Sequence, residues 1–170
     1  MPEKYELLVA EKPTSAKKIA EALADGKVTQ EKNKKVTYYV FTHNKKPIII
    51  ASAIGHLYGL AEKEKKGWTY PTFSYEWKPL YEAQKRASQT KDFIDTLKKL
   101  AKNAESFTVC TDFDDEGTVL GLNAVRFACN QKDASRMKFS TLTKKDLVES
   151  YEHKMKHMDW DQANAGLARH

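Results

Sequence analysis

Apolar and polar positions alternate between two periods along this chain. Tyr5 to Ala10 is a short apolar run ending at Glu11, the pattern of a buried parallel strand. Pro13, with capping candidates Thr14 and Ser15, opens a helix whose apolar positions Ala16, Ile19, Ala20 and Leu23 recur at helical spacing, and Asp25-Gly26 ends it. Lys35 to Thr42 and Lys46 to Ala53 are β-branched runs around His43-Asn44-Lys45, which predicts a hairpin whose second run is apolar enough for a central strand. Gly55 to Tyr81 is aromatic and lysine-rich with little periodicity and reads as an excursion packed on the sheet edge. Residues 87–103 predict a helix with Phe93, Ile94, Leu97 and Leu100 on one face. A strand at 106–110 and an amphipathic helix over 119–129 follow, then a short strand at 136–139 and a helix opened by Thr143 with Asp146 as a capping-box acid. Strands alternating with helices predict an α/β fold with a mostly parallel central sheet flanked by helices.

With 170 residues the chain fits one ordinary domain with a real core. Its 41% hydrophobic and 31% charged content excludes a disordered chain. A net charge of +6 favours a polyanionic partner without identifying it. Cys110 and Cys129 fall in apolar elements and read as buried reduced thiols, not as a disulfide or zinc framework. The first residues lack the basic and apolar regions of a signal peptide, and no apolar stretch approaches membrane-spanning length, so a cytoplasmic location is expected.

Between the strand at 106–110 and the helix after it lies Thr-Asp-Phe-Asp-Asp-Glu-Gly, residues 111–117. Asp112, Asp114 and Glu116 at alternate positions repel one another unless a cation joins them, and a hard divalent ion prefers such oxygen ligands. Acids at a helix start also favour the helix dipole, but one or two suffice for that. An EF-hand loop from Asp112 needs Glu where Asn123 stands, and a haloacid-dehalogenase turn needs Thr or Val where Glu116 stands; both fail. Sites in open α/β sheets form beyond the carboxyl ends of strands. If the first strand neighbours the one ending at Cys110, Glu11 joins Asp112, Asp114 and Glu116 in a pocket suited to Mg²⁺ and a phosphodiester, with Glu11 relaying a proton.

Asp112-x-Asp114-x-Glu116-Gly117 after a strand, with Glu11 ending the first strand, resembles the Toprim domain of topoisomerases, primases and related nucleases. Val9-Ala10-Glu11-Lys12-Pro13-Thr14-Ser15-Ala16 resembles the Glu-Lys-Pro-Ser-x-Ala start of type IA DNA topoisomerases. Ser52-Ala53-Ile54-Gly55-His56-Leu57, Trp77-Lys78-Pro79, residues 137–143 and Ala165-Gly166-Leu167-Ala168-Arg169 match in the family's order, and the wording of the acidic turn is closest to archaeal members. The resemblance implies a Rossmann-like Toprim domain over 1–153, including an aromatic and basic insertion at 55–86, with 154–170 starting the connection to a next domain. It implies Mg²⁺ held by Glu11, Asp112, Asp114 and Glu116, and catalytic roles for Glu11 and Lys12. Lys12, His56 and Arg169 become the expected contacts to a single-stranded DNA segment, in a nucleoid-associated enzyme.

Two departures stand out. Asp115 occupies a position where many members carry Arg, and Thr118 one where they carry Glu. The nucleophilic tyrosine of type IA enzymes lies in a later domain in a Tyr-x-Arg-Thr motif, and none of the eight tyrosines here has that context; Thr69-Tyr70-Pro71-Thr72 misses it. The expectation is therefore the metal-binding part of a strand-passage enzyme, inactive alone in relaxation. The rival readings are a free-standing Toprim nuclease and a non-catalytic nucleic-acid-binding module.

Overall fold

The apolar run Tyr5–Ala10 is strand β1, at the heart of a six-stranded sheet. The computed structural model describes residues 2–63 and 74–170. Lys65, Lys66, Trp68, Phe73 and the near-motif at 69–72 lie outside the described residues. Helix α1 (Pro13–Leu23) follows β1, with Pro13 in its first turn and Thr14 and Ser15 inside the helix; the residue at its cap is Lys12, which makes no side-chain cap. Strand β2 (Thr29–Asn33) then pairs antiparallel with β3 (Val36–His43), and β3 with β4 (Lys46–Ser52). The predicted hairpin is present with a tighter loop than its sequence suggests. His43 belongs to β3, and the loop is Asn44-Lys45 with φ of 49° and 63°, the left-handed pair that matches strand twist. Asp25 pins it by accepting from the amides of Asn44 at 2.9 Å and Lys45 at 3.0 Å.

Strands β5 (Tyr58–Glu62) and β6 (Tyr75–Pro79) form a separate two-stranded sheet, followed by the single turn α2 (Leu80–Ala83). Among the described residues the aromatic excursion forms this small sheet of its own and adds Leu57 and Tyr58 to the core, Tyr58 meeting Phe127 at a 5.1 Å ring separation. Helix α3 (Thr90–Ala101) leads into β7 (Ala104–Cys110). Helix α4 (Asp115–Asn123) widens into a π-turn at Ala124–Ala128. Strand β8 (Ser135–Arg136), α5 (Lys144–Glu152) and α6 (Trp160–Leu167) complete the chain. The sheet order is β2-β3-β4-β1-β7-β8, with β4, β1, β7 and β8 parallel.

Because side chains alternate across a strand, β1 feeds two cores. Leu7 and Val9 pack with Ile94, Leu97, Leu122 and Val125 on the α3–α4 side; Leu8 and Ala10 pack with Ile19, Leu23, Met137 and Leu147 on the α1–α5 side. Each fully buried leucine contributes about 2 kcal/mol. Helix α6 joins the first core through Ala163, and its Gly166 lies so close to α4 that a Cβ there would stand 2.5 Å from Val119 Cγ2. Both cysteines are free and buried; burial pushes the Cys129 thiol up to about 12 and raises that of Cys110. Among the described residues no helix is long and apolar enough to cross a membrane.

Candidate metal and nucleic-acid site at the carboxyl end of the sheet

The parallel strands β4, β1 and β7 all point their carboxyl ends the same way, and the chemistry-bearing residues follow directly. Ala10 stands opposite Ser52 in β4 and Cys110 in β7, so Glu11 emerges between the loop carrying His56 and the acidic turn. The condition set by the sequence, that the strands ending at Ala10 and Cys110 be neighbours, is met. Glu11 is 16% exposed at its side chain and pairs with Lys12 at 3.2 Å. The Lys12 ammonium is held above its ordinary pKa, first by the hydrogen bond and charge of Glu11 and then by the charges of Asp112 and Asp114. One exposed cation thus lies in the combined field of three carboxylates from two strand ends.

Within the turn the acids do different work. Asp114 is the N-cap of α4, its Oδ1 accepting from the Gly117 amide at 2.6 Å, which leaves its second oxygen for another partner. Asp115 pairs with Arg169 at 2.9 Å. Glu116 turns to His56, Oε2 to Nε2 at 3.0 Å, with His170 Nε2 at 3.6 Å from the same oxygen. Asp112 is exposed, and its carboxylate makes no hydrogen bond or ion pair among the described residues. Gly117 is dictated by crowding, since a Cβ there would stand 2.4 Å from the Asp112 carbonyl oxygen. Thr111 closes the turn from inside, Oγ1 donating to the Gly117 carbonyl at 2.6 Å.

Sequence reasoning missed Arg136. It has no solvent exposure, and its guanidinium donates to the carbonyls of Thr111 at 2.9 Å, Asp112 at 2.8 Å and Met137 at 3.1 Å. Burial lowers its pKa, while charges including Asp114 and Asp112 oppose that shift. A guanidinium fork therefore fixes the backbone from which Asp112 projects. The available signal was an arginine in a run otherwise destined for the core, beside Met137 and Phe139. His170 was missed as well.

Beside the turn, Asp112, Phe113, Phe139, Ser140, Thr141 and Leu142 line an open groove of about 520 Å³. Phe113 is 49% exposed, with the Lys138 ammonium 4.5 Å from its ring centroid. An exposed ring and cations next to an acidic metal-type turn suit a nucleic-acid strand. Glu11, Asp112 and Asp114 offer only oxygen donors, as Mg²⁺ prefers, and the draw they exert on Lys12 is the field a divalent ion would meet.

Comparison with known proteins agrees with this fold. The Toprim domain family matches residues 6–142, so the chain belongs to the Toprim family. It is 44% identical over 166 residues, 96% of its length, to DNA topoisomerase 1 of Pyrococcus furiosus, of which it covers 16%. Against DNA topoisomerase 1 of Methanocaldococcus jannaschii it is 41% identical over 165 residues, covering 96% of this chain and 21% of that protein. The fold is also that of a segment of full-length topoisomerase I from Thermotoga maritima, with a TM-score of 0.62 at 21% identity, covering 96% of this chain and 23% of the other. The chain thus spans about a fifth of the length of these relatives.

Proposed function

We propose that this chain is the metal-binding Toprim domain of a type IA DNA topoisomerase, supplying metal ligands and acid–base groups for cleavage and religation of one DNA strand. The observation that supports the reading is the Ala10–Cys110 register, together with the pull of Glu11, Asp112 and Asp114 on the Lys12 ammonium. A bound Mg²⁺, held by Glu11, Asp112 and Asp114, would offset the charge of the phosphodiester. Lys12 contacts the scissile phosphate, exchanging its carboxylate partners for phosphate oxygens. In cleavage a tyrosine oxygen from elsewhere in the parent enzyme bonds to phosphorus and the bond to the 3′-oxygen breaks. Glu11 takes up the proton that the tyrosine hydroxyl sheds and passes a proton to that leaving oxygen, and on religation the same transfer runs in reverse. Glu116, engaged by His56, acts as an outer ligand through water or as a structural acid. His56 and Arg169 contact DNA by letting phosphates compete with Glu116 and Asp115 for them.

The test uses this chain with supercoiled plasmid and a short single-stranded oligonucleotide. The expected result is Mg²⁺-dependent oligonucleotide binding, weakened by Lys12→Ala, with no nicking and no relaxation of the plasmid. Nicking by the chain alone, abolished by Asp112→Asn, would instead identify a free-standing nuclease.

A further inference from the structure

His56, Glu116 and His170 come from three separate segments: the loop after β4, the first turn of α4 and the residues beyond α6. Their ligand atoms all lie within 4.8 Å of one another, and both imidazole Nε2 atoms converge on the same oxygen, Glu116 Oε2, at 3.0 and 3.6 Å. Ligands of one tetrahedral zinc ion, bonded at about 2.0–2.2 Å, stand roughly 3.3 Å apart. The spacing therefore fits an ion with little movement.

The surroundings hold the donors in position. The His170 ring meets Trp77 edge-on at 5.6 Å and His56 at 5.7 Å. The Arg169–Asp115 pair and the 3.1 Å bond from the Arg169 amide to the Gly166 carbonyl hold the neighbouring backbone against the start of α4. Gly55, at φ 79°, turns the chain just before His56. Glu116 is half exposed at its side chain, so a fourth coordination position faces solvent.

We propose that His56, Glu116 and His170 form a three-ligand site for a borderline-soft divalent cation of the zinc type, separate from the oxygen-only set of Glu11, Asp112 and Asp114. Two imidazoles with one carboxylate select zinc, cobalt or nickel over magnesium, which favours oxygen donors and retains its waters. Since the ligands are far apart in sequence, an ion there cross-links the β4 loop, α4 and the segment after α6. While bound, the ion withholds His56 from DNA and Glu116 from an outer place on magnesium. The proposal does not depend on the topoisomerase reading.

The test is a calorimetric titration of zinc chloride into this chain without an affinity tag, in the presence of excess Mg²⁺. It is paired with the visible spectrum of the Co²⁺ complex and with melting curves. One zinc per chain is expected, with a raised melting temperature and cobalt d–d bands. His56→Ala and His170→Ala should each weaken zinc binding by about tenfold or more, since even outer-shell changes at such sites cost about 10- to 100-fold. Asp112→Asn should leave it intact. Both histidines are partly exposed, so both variants should melt near the parent in zinc-free buffer, which separates ligand loss from unfolding. Absence of zinc binding, affinity unchanged from the parent in both histidine variants, or loss on Asp112→Asn alone would overturn the proposal. The last result would locate the ion among the acids.

Discussion

A guanidinium with no solvent exposure depends on partners inside the protein, and the two terminal nitrogens of Arg136 find them in carbonyls at the point where the β7 ladder stops, while its Nε is left without one among the described residues. The carbonyls of Thr111 and Asp112 have left the sheet there without yet joining α4, so a side chain has to serve them. Arg136→Leu leaves these buried acceptors without donors and should cost about 2–4 kcal/mol in urea denaturation. Arg136→Lys should recover only part of the loss, because one ammonium cannot reproduce the planar fork. The motif residues were legible from spacing: three acids at alternate positions with a glycine announce a cation-seeking turn. Their individual roles were not, because they depend on which distant residues arrive. The Glu116–His56 bond spans 60 positions, and Arg169 reaches Asp115 only because α6 packs on α4.

Between elements, Glu6 ties β1 to α5. Tyr151 donates to its carboxylate at 2.6 Å, Lys154 pairs with it at 2.6 Å, and the Thr108 hydroxyl of β7 donates as well. Burial pushes the Glu6 carboxyl up, but the hydrogen bonds from Lys154, Thr108 and Tyr151 together outweigh it and hold the group below its ordinary 4.5. A depressed carboxyl contributes stability that is present above pH 4.5 and is lost as the pH falls through the folded value. Glu6→Gln should therefore lower stability by about 2 kcal/mol at pH 7, below the 3–5 kcal/mol of a fully buried broken pair, since Lys154 keeps some solvent contact. The gap between the denaturation curves of parent and variant should narrow as the pH falls from 7 toward 3; a constant gap would contradict this. At this scale β1, α1 and the β3–β4 hairpin were legible because apolar period and turn chemistry agree. Strand β2, Thr-Gln-Glu-Lys-Asn, was not: as an edge strand it has no buried face to write a period into the sequence. Helix α6 was missed for a related reason: it is eight residues long, only the small residues Ala163 and Gly166 are buried, and Trp160 and Leu167 pack on the core only in part.

Across the whole molecule, a strand order running outward from β1 in both directions puts the ends of β4, β1 and β7 at one edge of the sheet, where open α/β folds hold ligands. The fold class was legible because β–α alternation admits few topologies. That Glu116 turns to His56 and His170 was not, because those residues come from distant segments of the chain. The central claim is that those three oxygen-only residues make a magnesium site. It is tested most directly by calorimetric titration of Mg²⁺ into this chain with a short single-stranded oligonucleotide in zinc-free buffer. Asn caps a helix as well as Asp does, so Asp114→Asn keeps the turn while removing a charge. Mg²⁺ binding should persist in the parent and in His56→Ala and be lost in Asp112→Asn and Asp114→Asn. Binding unchanged by both Asp substitutions, or absent from the parent, would contradict the account.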